Sequence, residues 1–140
     1  MTAEPLVLDA SVAVKILLPE ADSGTAVAVV ERHPLLAPDF IFAECAHVLG
    51  KAVNRGLIEP DDAFEGISAL DDLQIALHPS ERLATDALRL AVELRHSAYD
   101  WFYLALALQT GCRLLTADQR LVSSAAAFAD HLLPLAQPVR

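Results

Sequence analysis

Apolar and polar positions along this 140-residue chain fall into short blocks whose spacing predicts the element each one builds. Leu6-Val7-Leu8-Asp9 is apolar up to its last residue, which predicts a short buried strand over Leu6 to Asp9. Ser11 to Leu18 reads as a helix stopped by Pro19, a second helix spans about Asp22 to Arg32, and Leu35-Leu36-Ala37 is a minimal strand. After Pro38-Asp39, the residues Phe40, Ala43, Val48, Ala52 and Val53 mark a long helix that ends at Gly56. Pro60, at a first helical position, opens a helix to about Asp72, and Leu73 to His78 alternates like a strand. Ser80 is the expected cap of a helix to about Arg95. Ala98 to Gln109 forms a strongly apolar helix that Gly111 turns into the strand Cys112 to Thr116. A last helix covers about Asp118 to Ala129, and His131 to Ala136 is an edge strand.

Strands alternating with helices predict an α/β fold, a parallel sheet covered by helices on both faces. With 54% hydrophobic and 21% charged residues, the chain has apolar material for one core, so a single domain over 1–140 is expected. No stretch approaches the ~20 apolar residues that a bilayer-spanning helix needs, and a cytosolic protein without membrane association is expected. A net charge of −9 gives no general attraction for nucleic acid, so any such contact must be local or metal-mediated. Cys45 and Cys112 lack metal-finger or redox spacing and read as buried reduced thiols.

Four acidic residues stand at places in the apolar pattern where a carboxylate needs a role. Asp9 ends a strand, Glu44 interrupts a helix, Asp100 opens one, and Asp118 closes Leu114-Leu115-Thr116-Ala117-Asp118. Ligands drawn from distant segments, all oxygen and without His or Cys, favour Mg²⁺ or Mn²⁺ over zinc, and such ions commonly serve phosphate chemistry. A metal-dependent nuclease is the leading expectation. The working crevice of an open α/β sheet lies at the carboxyl ends of its strands, where Asp9 and Asp118 fall. Asp100 returns to that edge because its helix and the following strand run antiparallel, about 20 Å of helix against about 17 Å of strand. Glu44, early in the helix that leaves the Leu35 to Ala37 strand, belongs near the same edge.

Structural alternatives exist for three of the four, whereas Glu44 lies too far from the expected cap Asp39 to be its reciprocal partner. Asp9 suits a helix N-cap, Ser97-x-x-Asp100 is a capping-box variant, and Asp118 complements the positive end of its helix. Thr116-x-x-Gln119 also fits a capping box, a role compatible with positioning an acid or a bound water; Ser11 lies close enough to Asp9 to act as a supporting donor. His47, three residues after Glu44, reads as a packing or interface histidine. Lys51 and Arg55, on the Glu44 stripe, are the candidates for steering a phosphate backbone toward the metal, with a solvated helix face as the alternative.

These residues resemble a known family. Leu8-Asp9-Ala10-Ser11-Val12-Ala13-Val14-Lys15 with Pro19-Glu20, then Ala43-Glu44, then Ser97-Ala98-Tyr99-Asp100 followed by Tyr103-Leu104-Ala105-Leu106-Ala107, then Leu114-Leu115-Thr116-Ala117-Asp118-Gln119-Arg120-Leu121, resemble in order the motifs of PIN-domain ribonucleases of the VapC toxin type. The match covers essentially the whole chain. It implies a three-layer α/β/α sandwich with a short parallel sheet, RNA cleavage dependent on Mg²⁺ with Mn²⁺ as substitute, a homodimer, and a small cognate antitoxin of a type II toxin-antitoxin pair. Asp9, Glu44, Asp100 and Asp118 match the family's acidic metal and catalytic positions, and Thr116 and Ser11 its supporting hydroxyls. Trp101 replaces the small residue often found after the third-motif Asp, a departure that bears on groove shape and substrate choice.

Two other readings compete. An aspartyl-phosphate phosphoryl-transfer protein also places an Asp at its first strand end, but Ser11 stands where the dehalogenase pattern wants a second Asp, and Asp118 where a receiver wants a lysine. A catalytically idle PIN-like interaction domain is disfavoured because four mutually repelling acids have no reason to persist in it.

Overall fold

The computed structural model describes residues 3–18, 23–96 and 98–135. Its elements are β1 (Leu6–Leu8), α1 (Ala10–Leu17), α2 (Ser23–Val30), β2 (Leu35–Pro38), α3 (Ile41–Asn54), α4 (Pro60–Asp72) and β3 (Ala76–His78). A 3₁₀ turn at Ser80–Arg82 leads to α5 (Ala84–Leu94), α6 (Ala98–Thr110), β4 (Arg113–Thr116), α7 (Gln119–Ser124), a 3₁₀ segment at Ala126–His131, and β5 (Leu132–Pro134).

All strand pairings are parallel, in the order β3-β2-β1-β4-β5. β1 is buried on both faces, which is why Leu6, Val7 and Leu8 form an unbroken apolar run instead of alternating. Helices α1, α3 and α4 pack on one another, with α2 against α1, while α5 packs along α6, which lies against β1, β2 and β4. Right-handed crossovers explain the two layers. The chain moves one way along the sheet from β1 to β3, then crosses to β4 on the other side of β1. The three-layer α/β/α sandwich is therefore present. The order reverses between β1 and β4, so a crevice opens at the carboxyl ends of these two strands.

Two helices end in the same six-residue device. Leu57 N–H donates to Ala52 C=O across Gly56 (φ +72°), and Cys112 N–H donates to Ala107 C=O across Gly111 (φ +70°). The second device reverses α6 into β4 within two residues, Gly111 and Cys112, which fixes the antiparallel relation between them. A Cβ on Gly111 would touch nothing within 4 Å. Gly111→Ala is therefore expected to cost only the left-handed backbone penalty, about 1 kcal/mol, read from urea denaturation. A loss several times larger would mean that the turn is packed more tightly than this.

Several boundaries differ from the sequence expectation. The first strand stops at Leu8, because Asp9 adopts the cap position of α1 and its carbonyl accepts from Val12 and Ala13 N–H. Leu73 to His78 shrinks to Ala76–His78; Leu73 still closes α4, and Gln74 takes a left-handed conformation (φ 53°). Ser80 caps no α-helix; it begins the 3₁₀ turn, and α5 starts at Ala84. The helix expected from Asp118 to Ala129 breaks at Ala125 into α7 and the 3₁₀ segment, where Phe128 is non-helical and packs against the core. Alanine-rich sequence favours continuation there, so packing of Phe128 overrides local propensity. The last strand is Leu132–Pro134, and Ala136 lies outside the described residues, as do Pro19, Glu20, Asp22 and Ser97. Among the described residues, no helix is long and apolar enough to cross a membrane.

Candidate active site

The site starts at the switch point. Leu8 pairs with Leu115, and Asp9 N–H donates to Leu115 C=O at 3.1 Å, so Asp9 and Thr116 emerge side by side from neighbouring strand ends. Asp9 is 4% exposed and Thr116 fully buried. Asp9 occupies the cap position of α1, yet its side chain makes no capping bond. Instead its Oδ2 accepts from Ser11 Oγ at 2.6 Å and from Thr116 Oγ1 at 2.7 Å. Ser11 Oγ also accepts from Ala117 N–H at 3.0 Å, and Thr116 Oγ1 from Asp118 N–H at 3.1 Å. The two hydroxyls thus tie the β1–α1 junction to the β4–α7 junction. The capping-box expectation for Thr116 fails, because Asp118 itself caps α7, accepting from the N–H groups of Arg120 and Leu121.

Asp100, in the first turn of α6, meets Asp118 as expected. Sequence reasoning missed the third member of this group. His96 Nε2 lies 2.7 Å from Asp100 Oδ2, and one ligand atom from each of His96, Asp100 and Asp118 falls within 4.8 Å of the others. Asp9 and Glu44 are not in this tight group. The available signal was the four-residue spacing of His96 and Asp100, which faces two side chains together once the turn before α6 is formed. Arg95, in a left-handed conformation at the end of α5, makes that turn.

Glu44 is placed by another residue that the sequence did not single out. Tyr103 Oη donates to Glu44 Oε1 at 2.9 Å, joining α6 to α3 across the sheet edge. Phe40, just before α3, makes edge-to-face contacts with Tyr99, Phe102 and Tyr103 at 5.3 to 5.8 Å between ring centroids. A groove of about 610 Å³ runs over this edge, lined by Phe40, Ala43, Glu44, His47, Tyr99 and Asp100. His47 is solvent-exposed in that groove and does not pack in the core. It also lines a neighbouring groove of about 200 Å³ with Lys51 and Arg55, both exposed. Those two cations therefore lie beyond His47 from the acids, and Arg55 caps the end of α3. Arg120, exposed on α7, is near enough to Asp100 to favour its charged form.

Trp101 does not line the groove. It is fully buried, its indole N–H has no hydrogen-bond partner among the described residues, and it packs edge-on against the His96 ring at 5.5 Å. Its influence on the site runs through His96. Cys45 and Cys112 are both buried free thiols. Burial, with the charges of Glu44 and Asp9, pushes Cys45 up to about 12, so it is inert as a nucleophile at neutral pH.

Electrostatics mark the same edge. Burial, reinforced by Asp100 and Asp118, raises Asp9 to about 6 despite its two hydroxyl donors. Burial, with Asp9 and Asp100, raises Glu44 to about 7 against the opposing Tyr103 bond. Asp100 is also raised, by burial first and by Asp118, while His96 opposes the shift. Tyr103 is pushed well above its ordinary range by burial and by Glu44, so its hydroxyl stays a donor. Partly buried carboxylates that repel one another and are short of cations fit a small divalent ion, whose charge removes the repulsion.

The family profile for the PIN domain matches residues 6–127. Ribonuclease VapC3 of Pyrobaculum aerophilum is 35% identical over 119 residues, covering 83% of this chain and 91% of the relative. Ribonuclease VapC9 of Mycobacterium tuberculosis is 29% identical over 116 residues, covering 83% of this chain and 87% of the relative. The crystal structure of PAE2754 from Pyrobaculum aerophilum superposes with a TM-score of 0.67 at 22% identity, over 89% of this chain and 81% of that one, a likeness of fold. The motif order, the acids at the β1–β4 switch point and the profile spanning nearly all of the sheet agree: this chain belongs to the PIN-domain family.

Proposed function

We propose that residues 1–140 act as one PIN-like unit, a divalent-metal-dependent endoribonuclease and the toxin of a type II toxin-antitoxin pair. The observation that carries this reading is the convergence of Asp9, Glu44, Asp100 and Asp118 on one sheet edge, in a chain whose curated relatives are named VapC ribonucleases. The proposed ion is Mg²⁺, with Mn²⁺ as substitute, and the proposed holders are Asp100 and Asp118 with Asp9 and Glu44 around them. When bound, the ion supplies positive charge that offsets the attacked phosphate and lowers the pKa of a nearby water.

The chain's own groups do the rest. Ser11 and Thr116 hold Asp9 in one orientation, and Asp118 N–H locks Thr116 in turn. Glu44, in the groove wall and oriented by the Tyr103 hydroxyl, presents its carboxylate beside the place a phosphodiester would take. In a chain of net charge −9, phosphate must be captured by the metal and a few local cations. Lys51 and Arg55 are the proposed cations, and changing both to Ala is expected to weaken RNA binding and flatten its salt dependence while leaving metal affinity unchanged. Unaltered RNA affinity across a salt titration would make that helix end a solvated face.

The antitoxin, the homodimer and a cytosolic location belong to the same proposal. An acidic groove suits a small protein partner that enters with an Arg or Lys and pairs with the carboxylates. Sequencing RNA ends from cells that briefly express the wild type beside an Asp9→Asn control tests activity and substrate together. Equal end profiles would remove the ribonuclease reading, and equal growth of both strains would remove the toxin reading.

A further inference from the structure

The ligand set read from sequence was all oxygen, yet the group of potential ligands that gathers within 4.8 Å among the described residues holds an imidazole. His96 is only 19% exposed, and its ring is braced edge-on by the buried Trp101. Its Nε2 stands 2.7 Å from Asp100 Oδ2. Adjacent ligands of an octahedral divalent ion with bonds of about 2.1 Å lie about 3 Å apart. The observed pair is within a few tenths of that edge, so an ion can take both atoms with little movement, and Asp118 offers an oxygen within the same 4.8 Å group.

We infer that His96 is a nitrogen ligand beside Asp100 and Asp118, and that it shifts the site's preference from Mg²⁺ toward Mn²⁺ and later divalent ions. The inference rests on the divalent-metal reading above and deepens it. Magnesium is a hard ion that favours oxygen and keeps its waters, whereas affinity for imidazole grows along the series from Mn²⁺ onward. One nitrogen therefore discriminates between ions that four carboxylates treat alike. The alternative role, a hydrogen bond from His96 to Asp100 outside the ion's ligand shell, needs only an N–H donor.

The test is pulsed electron paramagnetic resonance of Mn²⁺ bound to the full chain, with Mg²⁺ competition titrations. Wild type is expected to show ¹⁴N modulation from a coordinated imidazole. In His96→Ala that modulation disappears and Mn²⁺ binds about tenfold more weakly, while Mg²⁺ affinity changes by less than about threefold. His96→Gln retains an N–H donor toward Asp100 and is expected to behave as the Ala variant does. The inference is overturned if bound Mn²⁺ shows no ¹⁴N modulation in wild type, if the modulation persists in His96→Ala, or if Gln restores the Mn²⁺ to Mg²⁺ ratio. Mn²⁺ held equally by wild type and both variants overturns the role of His96 alone, whereas a wild type that binds no divalent ion overturns the metal reading as well.

Discussion

Asp9→Asn is expected to lower RNA cleavage by about a thousandfold, the kinetic equivalent of losing several kcal/mol of charge stabilisation at the phosphate. The substitution keeps size and shape. Its carbonyl oxygen can still accept from Ser11 and Thr116, the two donors that orient Asp9 Oδ2. What it loses is the negative charge at the most buried of the four acids. Asp118→Asn should show a comparable loss with a small stability cost, because an amide oxygen can still cap α7. Cleavage of a defined RNA, with circular dichroism as a fold control, checks both. Full activity in Asp9→Asn, or in excess EDTA with the wild type, would remove the carboxylate-metal mechanism.

The second large effect is on stability, and its sign follows from the raised carboxyls. Asp9 is lifted from 3.8 to about 6, so between these values the folded chain holds a proton that the unfolded chain has released. The stabilisation is complete below the unfolded value and is lost as pH rises through the folded one. For Asp9 this amounts to about 3 kcal/mol at pH 7.5 relative to pH well below 3.8, of which roughly half a kcal/mol is already lost at pH 4. Glu44, raised to about 7, acts in the same direction. In EDTA, Asp9→Asn should therefore nearly match the wild type near pH 4 and exceed it by roughly 3 kcal/mol at pH 7.5. Mg²⁺ or Mn²⁺ should close that gap at pH 7.5 by binding the folded wild type. Urea denaturation at the two pH values measures it. A difference between the proteins that does not change with pH would mean that Asp9 is not strained by its burial.

Both effects depend on how little room the site has for alternatives. Ser11 and Thr116 both bond to one oxygen of Asp9, and the same hydroxyls hold the backbone at Ala117 and Asp118. The strand ends that deliver Asp9 and Thr116 are consequently fixed to each other through side chains as well as through the parallel β1–β4 ladder. A site built this way keeps its acids together despite their repulsion until a cation arrives.

The sequence by itself determined the layered fold and the level of all four acids. Unbroken apolar strands require a sheet buried on both faces, and Gly111 forces α6 to run antiparallel to β4, which returns Asp100 to Asp118. These are consequences of local periodicity and turn chemistry, which need only neighbours in the chain. Tertiary structure decided what lies around the acids. His96 becomes a partner of Asp100 only after Arg95 turns left-handed and Trp101 packs behind the ring; Tyr103 finds Glu44 across 59 residues of chain, and Thr116 finds Asp9 across 107. It also decided where α7 stops, because Phe128 gains more from the core than its neighbours do from continuing a helix. Contacts of that separation leave no period in the sequence: they exist only when the sheet brings its strand ends to one edge and excludes water from the side chains that meet there.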